Sequence, residues 1–246
     1  NYGGKHMKET AFIWKNGNLL NWADATTHVL THALHYGTAV FEGIRAYETP
    51  EGPAIFRAEE HYKRLIASGK MHLMNCPYSV KDFIDATTLL IKENKLNSCY
   101  IRPLVYYGYK EMGINPQQNP IDVIIAAWEW GTYLGEEGLE KGIRCKISSW
   151  NRLDSRIMPP LSKCGANYAN SVLAKREALD EGYEEAILLN INGHVAEGPG
   201  ENIFLIKDGK VSTPPISDNV LDGITRNSVI EILKDQGIEV KEKSMI

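Results

Sequence analysis

A chain of 246 residues can bury a sizeable core and suits two modest domains as well as one large one. Its 43% hydrophobic and 24% charged residues are those of an ordinary soluble globular protein. A formal charge of −4 without basic runs argues against nucleic acid or anionic membrane as a main partner, and no apolar run approaches the ~20 residues that span a bilayer.

Residues 1–6, Asn-Tyr-Gly-Gly-Lys-His, read as an expression remnant before a natural start at Met7, and no signal-peptide pattern opens the chain; a cytoplasmic protein is expected. Ala11–Trp14 and Gly17–Leu20, on either side of Asn16-Gly17, predict a short hairpin. Tyr47–Phe56 predicts a second, turning through Thr49-Pro-Glu-Gly52. Ala58–Met71 is a helical stretch. Ser79 caps the next helix with Asp82 at its third position, and Val80, Phe83, Ile84, Thr87, Leu90 and Ile91 share one face. Strands follow at Cys99–Gly108 and Asp122–Glu129, the second apolar enough to be covered on both faces.

Gly131–Gly138 changes character, with two glycines after an aromatic pair and then acidic residues. The expected domains are therefore 7–130, a connection at 131–138, and 139–246. The second half predicts a strand at Ile143–Ser149, a loop through Pro159-Pro160, a helix over Asn167–Glu181 ended by Gly182, and strands at Glu185–Asn190 and Glu201–Ile206. The Asp208-Gly209 turn leads to Val211–Thr213, and a helix over Arg226–Gln236 stops at Gly237. Ile238–Lys243 reads as a strand with nothing after it, so native sequence beyond Ile246 is expected. The pattern is α+β or mixed α/β in two domains. The four cysteines, Cys76, Cys99, Cys145 and Cys164, are far apart in sequence and read as buried reduced thiols.

Lys163 is the only charged residue between Ile157 and Ala174. Such a lysine either snorkels from a surface loop or sits desolvated as a nucleophile, since an apolar site favours the neutral amine that imine chemistry needs. Three further segments bear on that choice, each with an ordinary structural reading as well. Glu197 enters a Gly-Pro-Gly turn, which makes it a solvated acid or a carboxylate aimed into a site. Thr225 stands at a helix start, as an N-cap or as part of a phosphate cradle. Arg64 is a solvated helix charge or an anion-binding fork. His28, His32 and His35 have helical spacing, but no carboxylate lies between the first two as H-E-x-x-H requires; structural histidines are expected and no metal.

Tyr36-Gly-Thr-Ala-Val-Phe-Glu-Gly-Ile-Arg-Ala-Tyr47, Tyr100-Ile-Arg-Pro-Leu104, Ser162-Lys163 with Asn167-Tyr168, Glu197-Gly-Pro-Gly-Glu-Asn-Ile-Phe204 and Leu221-Asp-Gly-Ile-Thr225 occur in one order. In this the chain resembles the branched-chain aminotransferases, class IV aminotransferases that share fold type IV of the pyridoxal-phosphate enzymes. The resemblance implies a small N-terminal α/β domain and a larger C-terminal one, of which a terminal Gly-Thr-Ala segment is missing here. It implies pyridoxal 5′-phosphate as cofactor, with Lys163 as the Schiff-base lysine and proton carrier. Glu197 would face the pyridine nitrogen, Tyr168 the phenolic oxygen, Leu221 the ring, and Arg64, Ile224 and Thr225 the phosphate. Tyr36, Phe41, Tyr100, Trp130 and Tyr133 would line an apolar substrate pocket, with Arg102 receiving the distal carboxylate of glutamate.

By the same resemblance, Met112 and Ile114 would reach a neighbouring subunit, making a homodimer or larger homo-oligomer. The activity implied is transfer of the amino group of L-leucine, L-isoleucine or L-valine to 2-oxoglutarate. D-Amino-acid or (R)-amine transaminases and aminodeoxychorismate lyases share the lysine and glutamate. The Glu201-Asn202 pair and Tyr100-Ile-Arg102 favour the branched-chain pattern.

Overall fold

Asn16 and Gly17 both take positive φ, 48° and 92°, and join β1 (Phe12–Lys15) to β2 (Asn18–Asn21) in the antiparallel hairpin that Asn-Gly favours. This computed structural model describes residues 7–130, 138 and 140–246. The proposed remnant at 1–6, Tyr133 and nearly all of the expected 131–138 connection lie outside the described residues. Contacts divide the chain into two units, Asn1–Tyr133 and Leu134–Ile246.

The first unit is a seven-stranded sheet backed by two helices. A short helix α1 (His32–Tyr36) precedes β3 (Ala39–Phe41) and β4 (Ile44–Tyr47), and β4 pairs with β5 (Ala54–Ile55). β6 (Cys99–Tyr107) and β7 (Ile121–Trp128) form the long central pair, and the sheet order is β2-β1-β7-β6-β4-β5 with β3 also on β6. Pro103 fits this central strand because its neighbour is broken there: β4 pairs with 99–101 and β3 with 104–106. Its carbonyl accepts from Glu42 N–H at 3.1 Å, so the missing proline N–H faces the Glu42–Gly43 kink, where no partner strand needs it.

Helix α2 (Ala58–Met71) matches its predicted span, and α3 (Val80–Glu93) begins at the predicted cap, where Ser79 and Asp82 form a reciprocal capping box. Phe83, Leu90 and Ile91 are buried, and α3 packs on β1 and β7. β7 is not covered equally on both sides. Val123, Ile125 and Ala127 are fully buried while Ile124, Ala126 and Trp128 are half-buried, the alternation of an antiparallel strand with one face on the helices. The predicted second hairpin begins at Ile44 rather than Tyr47, and α1 and β3 were not foreseen.

The second unit sets β8 (Cys145–Ile147) parallel to β9 (Glu185–Leu189), with β10 (Val195–Glu197) antiparallel on the other side. Helix α4 (Asn167–Asp180) lies on β9 through a small core of Ala174, Ala178, Ala186 and Leu188. A second sheet holds β11 (Leu205–Lys207), β12 (Lys210–Thr213) and β13 (Val240–Glu242), and α5 (Ile224–Asp235) packs on β13. The strand expected at Glu201–Ile206 starts only at Leu205, because Glu201 and Asn202 are turned inward by side-chain bonds described below. The strand expected at Ile238–Lys243 is shorter, and it pairs in parallel with β12. Among the described residues no helix is long and apolar enough to cross a membrane.

None of the four cysteines is in a disulfide; Cys99 and Cys164 are buried, but Cys145 is exposed, contrary to expectation, at the edge position of the short β8. The histidines have structural partners. His32 is fully buried between Thr38 Oγ1 and the Gly113 carbonyl, both at 2.8 Å, His35 meets the Val29 carbonyl, and His28 stacks on Tyr109.

Candidate active site

Lys163 lies in the loop just before α4. Asn167, 1% exposed, holds that loop from the helix's first turn by donating to the carbonyls of Pro159 and Ser162 at 3.2 Å. The lysine is half-buried, and its Nζ donates to the Tyr168 hydroxyl at 2.5 Å. It lines a cleft shared with Arg152, Tyr168, Glu197, Asn202 and Leu221. The lysine that is alone in sequence therefore has an acid and a guanidinium beside it in space.

Glu197 ends β10 at an irregularity in the β9–β10 register, which turns its side chain into the cleft. Its Oε2 accepts from the Leu221 N–H at 3.0 Å and from Asn202 Nδ2 at 3.2 Å. Its Oε1 lies 2.7 Å from Arg152 Nε in an ion pair whose side chains are 8% and 7% exposed. Burial pushes the Glu197 carboxyl above the usual range; the Arg152 charge, the Leu221 N–H and Lys163 oppose that push.

Asn202 Nδ2 also donates to the Leu221 carbonyl at 2.9 Å. A Cβ on Gly223 would meet Asn202 Oδ1 at 1.9 Å, so only glycine lets the two segments approach this closely. Gly223 has extended backbone and is the N-cap of α5, which places Ile224 and Thr225 in the helix's first turn. The helix thus starts two residues earlier than predicted, and Thr225 is a first-turn residue rather than its cap. Thr225 is exposed and Ile224 buried.

The remaining expected residues lie in the first unit. Phe41, Tyr100, Arg102 and Trp130 form one cluster. Arg102 Nη2 donates to the Tyr100 hydroxyl at 2.9 Å, its guanidinium carbon stands 4.8 Å from the Phe41 ring centre, and Trp130 meets Tyr100 edge-on at 4.4 Å. Arg102 Nε is buried and finds no hydrogen-bond partner among the described residues. Gly43 makes room for this group, since a Cβ there would be 2.3 Å from the Tyr100 oxygen. Tyr36 ends α1 with its ring 4.5 Å from His32. Met112 and Ile114 are exposed. Arg64 is on α2 and grips the fully buried Glu42 through Nε at 2.6 Å and Nη2 at 2.9 Å; His61 Nδ1 is 2.8 Å from the same carboxylate.

A model of the amino-transferase class IV family matches residues 39–245. The chain is 47% identical over 237 residues to the branched-chain-amino-acid aminotransferase of Escherichia coli strain K12, covering 96% of this chain and 77% of that one. The chain belongs to the class IV aminotransferases.

Within that family it falls with the branched-chain-amino-acid aminotransferases of fold type IV. It is similar to the crystal structure of the Escherichia coli branched-chain enzyme, with a TM-score of 0.94 and 46% identity over 96% of this chain and 78% of the other. It is also similar to a T.th. branched-chain aminotransferase complexed with N-(5′-phosphopyridoxyl)-L-glutamate, with a TM-score of 0.90 and 47% identity over 96% and 77% of the two chains.

In this aminotransferase the sequence does not single out Arg152, which touches Glu197, Glu42, which touches Arg64, or His61, which shares the Glu42 carboxylate. Arg152 is 45 positions before Glu197, in a loop without periodicity, and no local signal marks it. Glu42 sits inside one of the quoted motifs; a charged residue between the apolar β3 and β4 was the available clue, because a carboxylate there is buried only with a cationic partner.

Proposed function

We propose that this chain is a pyridoxal-phosphate-dependent transaminase that moves the amino group of L-leucine, L-isoleucine or L-valine to 2-oxoglutarate, giving the 2-oxo acid and L-glutamate. We place it in the cytoplasm as a homodimer or larger homo-oligomer. The observation that carries the reading is the cleft that presents the Lys163 amine, the Tyr168 phenol and the buried Glu197 carboxylate together.

That donor set fits the cofactor group by group. An amine suits the aldehyde, a carboxylate held by Arg152 and the Leu221 N–H suits a protonated ring nitrogen, and a phenol suits the ring oxygen. The first turn of α5 suits a phosphate, because helix N-termini favour anions. When bound, the cofactor supplies the electron sink that lets a proton leave the amino acid's Cα.

The chain's own residues do the rest. Lys163 anchors the cofactor and, once released, carries the proton at Nζ, with Tyr168 as its hydrogen-bond partner. Glu197 keeps the ring nitrogen charged, and its burial makes that interaction stronger than it would be in water. Phe41, Tyr100 and Trp130 offer apolar walls to an aliphatic side chain, which discriminate by roughly 1–3 kcal/mol per methylene. Arg102, against that aromatic group, would take the distal carboxylate of glutamate. A similar enzyme bound to a phosphopyridoxyl adduct of L-glutamate supports both the cofactor and that partner substrate.

The test combines chemistry with a panel. After reconstitution with pyridoxal phosphate and borohydride reduction, mass spectrometry should find a pyridoxyl adduct on the Lys163 peptide, absent in Lys163→Ala. Transamination with L-leucine, L-isoleucine and L-valine should exceed that with D-alanine or an (R)-amine, each paired with 2-oxoglutarate. No adduct would defeat the cofactor assignment, and a preference for D-alanine would defeat the substrate assignment.

A further inference from the structure

Asn202 touches both ends of the cleft. Its single amide nitrogen donates to Glu197 Oε2 at 3.2 Å and to the Leu221 carbonyl at 2.9 Å, which uses both of its N–H bonds. Glu197 Oε2 in turn accepts from the Leu221 N–H at 3.0 Å, so the Asn202 side chain and the backbone N–H and carbonyl of Leu221 close a ring between the Glu197 turn and the segment that leads into α5. The amide oxygen points the other way and fills the space beside Gly223, where a Cβ would sit 1.9 Å from Oδ1. The contact is sterically exclusive and not a matter of backbone strain, because Gly223 has φ −73° and ψ 130°, which any residue adopts.

We propose that Asn202 is a positioning residue for cofactor binding: it fixes the Glu197 carboxylate relative to the first turn of α5, and Gly223 exists to admit it. This rests on the reading above, in which Glu197 meets the ring nitrogen and the α5 turn meets the phosphate. A rigid cofactor spans those two points, so their separation must be set before it binds. An amide does this better than a charged group would. It donates to a carboxylate and a carbonyl without adding charge to the buried Arg152–Glu197 pair.

The experiment measures pyridoxal phosphate affinity by fluorescence, together with the pH midpoint of the bound cofactor's visible band, in the full chain. Asn202→Ala should weaken cofactor binding by roughly tenfold or more, the loss expected when a hydrogen bond to a charged group is removed. It should also move the band's midpoint, because Glu197 is no longer held. Asn202→Asp, which keeps the shape but loses the donor and adds a carboxylate beside Glu197, should weaken binding at least as much as Asn202→Ala. Gly223→Ala should weaken binding in the wild-type background and cost much less in the Asn202→Ala background, where the 1.9 Å clash is gone and the contact left is Arg226 Cβ at 3.2 Å.

Lowered thermal stability with unchanged affinity and an unchanged midpoint would overturn the proposal, as would losses from Asn202→Ala and Gly223→Ala that simply add. Wild-type and Glu197→Gln controls separate the two levels. If the wild-type chain fails to bind the cofactor, the functional reading fails; if it binds and Asn202→Ala binds equally well, only the positioning role fails.

Discussion

Replacing Arg152 by Met should strand a carboxylate that the fold cannot solvate. Glu197 and Arg152 are 8% and 7% exposed and 2.7 Å apart, and the remaining donors to Glu197 are the Leu221 N–H and the Asn202 amide. Charge centres about 4 Å apart attract by about 4 kcal/mol at an effective dielectric of about 20. Removing one partner of such a pair costs about 3–5 kcal/mol, because the other is left buried and unpaired. Arg152→Met should therefore lower unfolding stability by about 3 kcal/mol or more at neutral pH. Glu197→Gln placed on top should restore much of the loss, since no buried charge then remains.

The loss should also depend on pH. Burial already raises the Glu197 carboxyl above its ordinary 4.5, and without the guanidinium it rises further. Between 4.5 and that raised value the folded chain holds a proton that the unfolded chain has released, so stability falls as pH increases through the window. The penalty in Arg152→Met should thus shrink in acid and be greatest on the alkaline side. Urea unfolding of the four proteins in the cycle, at mildly acidic and mildly alkaline pH, measures both effects. Additive losses that ignore pH would refute the claim that Arg152 compensates a buried charge.

Three further outcomes follow from other parts of the molecule. Arg102→Ala should raise KM for 2-oxoglutarate by roughly tenfold to a hundredfold, the range for a lost hydrogen bond to a charged group, and should spare the branched-chain oxo acids; equal losses would remove its role as a carboxylate receptor. Burial and the neighbouring Glu185 push Glu201 up to about 7, so the folded chain keeps this proton where the unfolded chain, at 4.5, has lost it. Glu201→Gln should gain melting temperature over the wild type as pH rises through that interval, and a constant difference would disprove it. Glu177 is held down to about 2 by Lys146 Nζ at 2.8 Å and Ser148 Oγ at 2.6 Å. The stability it contributes is present above pH 4.5 and lost as pH falls through about 2, so the melting-temperature deficit of Glu177→Gln should vanish in strong acid.

Interactions between near neighbours in sequence were legible before any fold was known. The Asn16-Gly17 turn, the Ser79–Asp82 capping box, the span of α2 and the buried face of α3 each depend on residues within a turn or two, so spacing alone specifies them. Resemblance to a family supplied Lys163, Tyr168 and Glu197, and the fold brings all three to one cleft. It supplied Phe41, Tyr100, Arg102 and Trp130 as well, and these meet on β3, β6 and the end of β7.

Spacing could not reveal partners that arrive from far along the chain. Lys163 stands alone among uncharged residues from Ile157 to Ala174, yet the fold sets it in a cleft with Glu197 and Arg152. Glu201 and Asn202 read as the start of a strand, but their side chains bond back to Gly200 and across to Glu197 and Leu221, and β11 begins only after them. The sequence by itself determined the Asn16-Gly17 hairpin and the helices α2, α3 and α4, because propensity, capping and periodicity act within a few residues. Only the tertiary structure decided which charges are paired and which carboxylate is buried. Those depend on desolvation and distance, and neither exists until distant segments pack together.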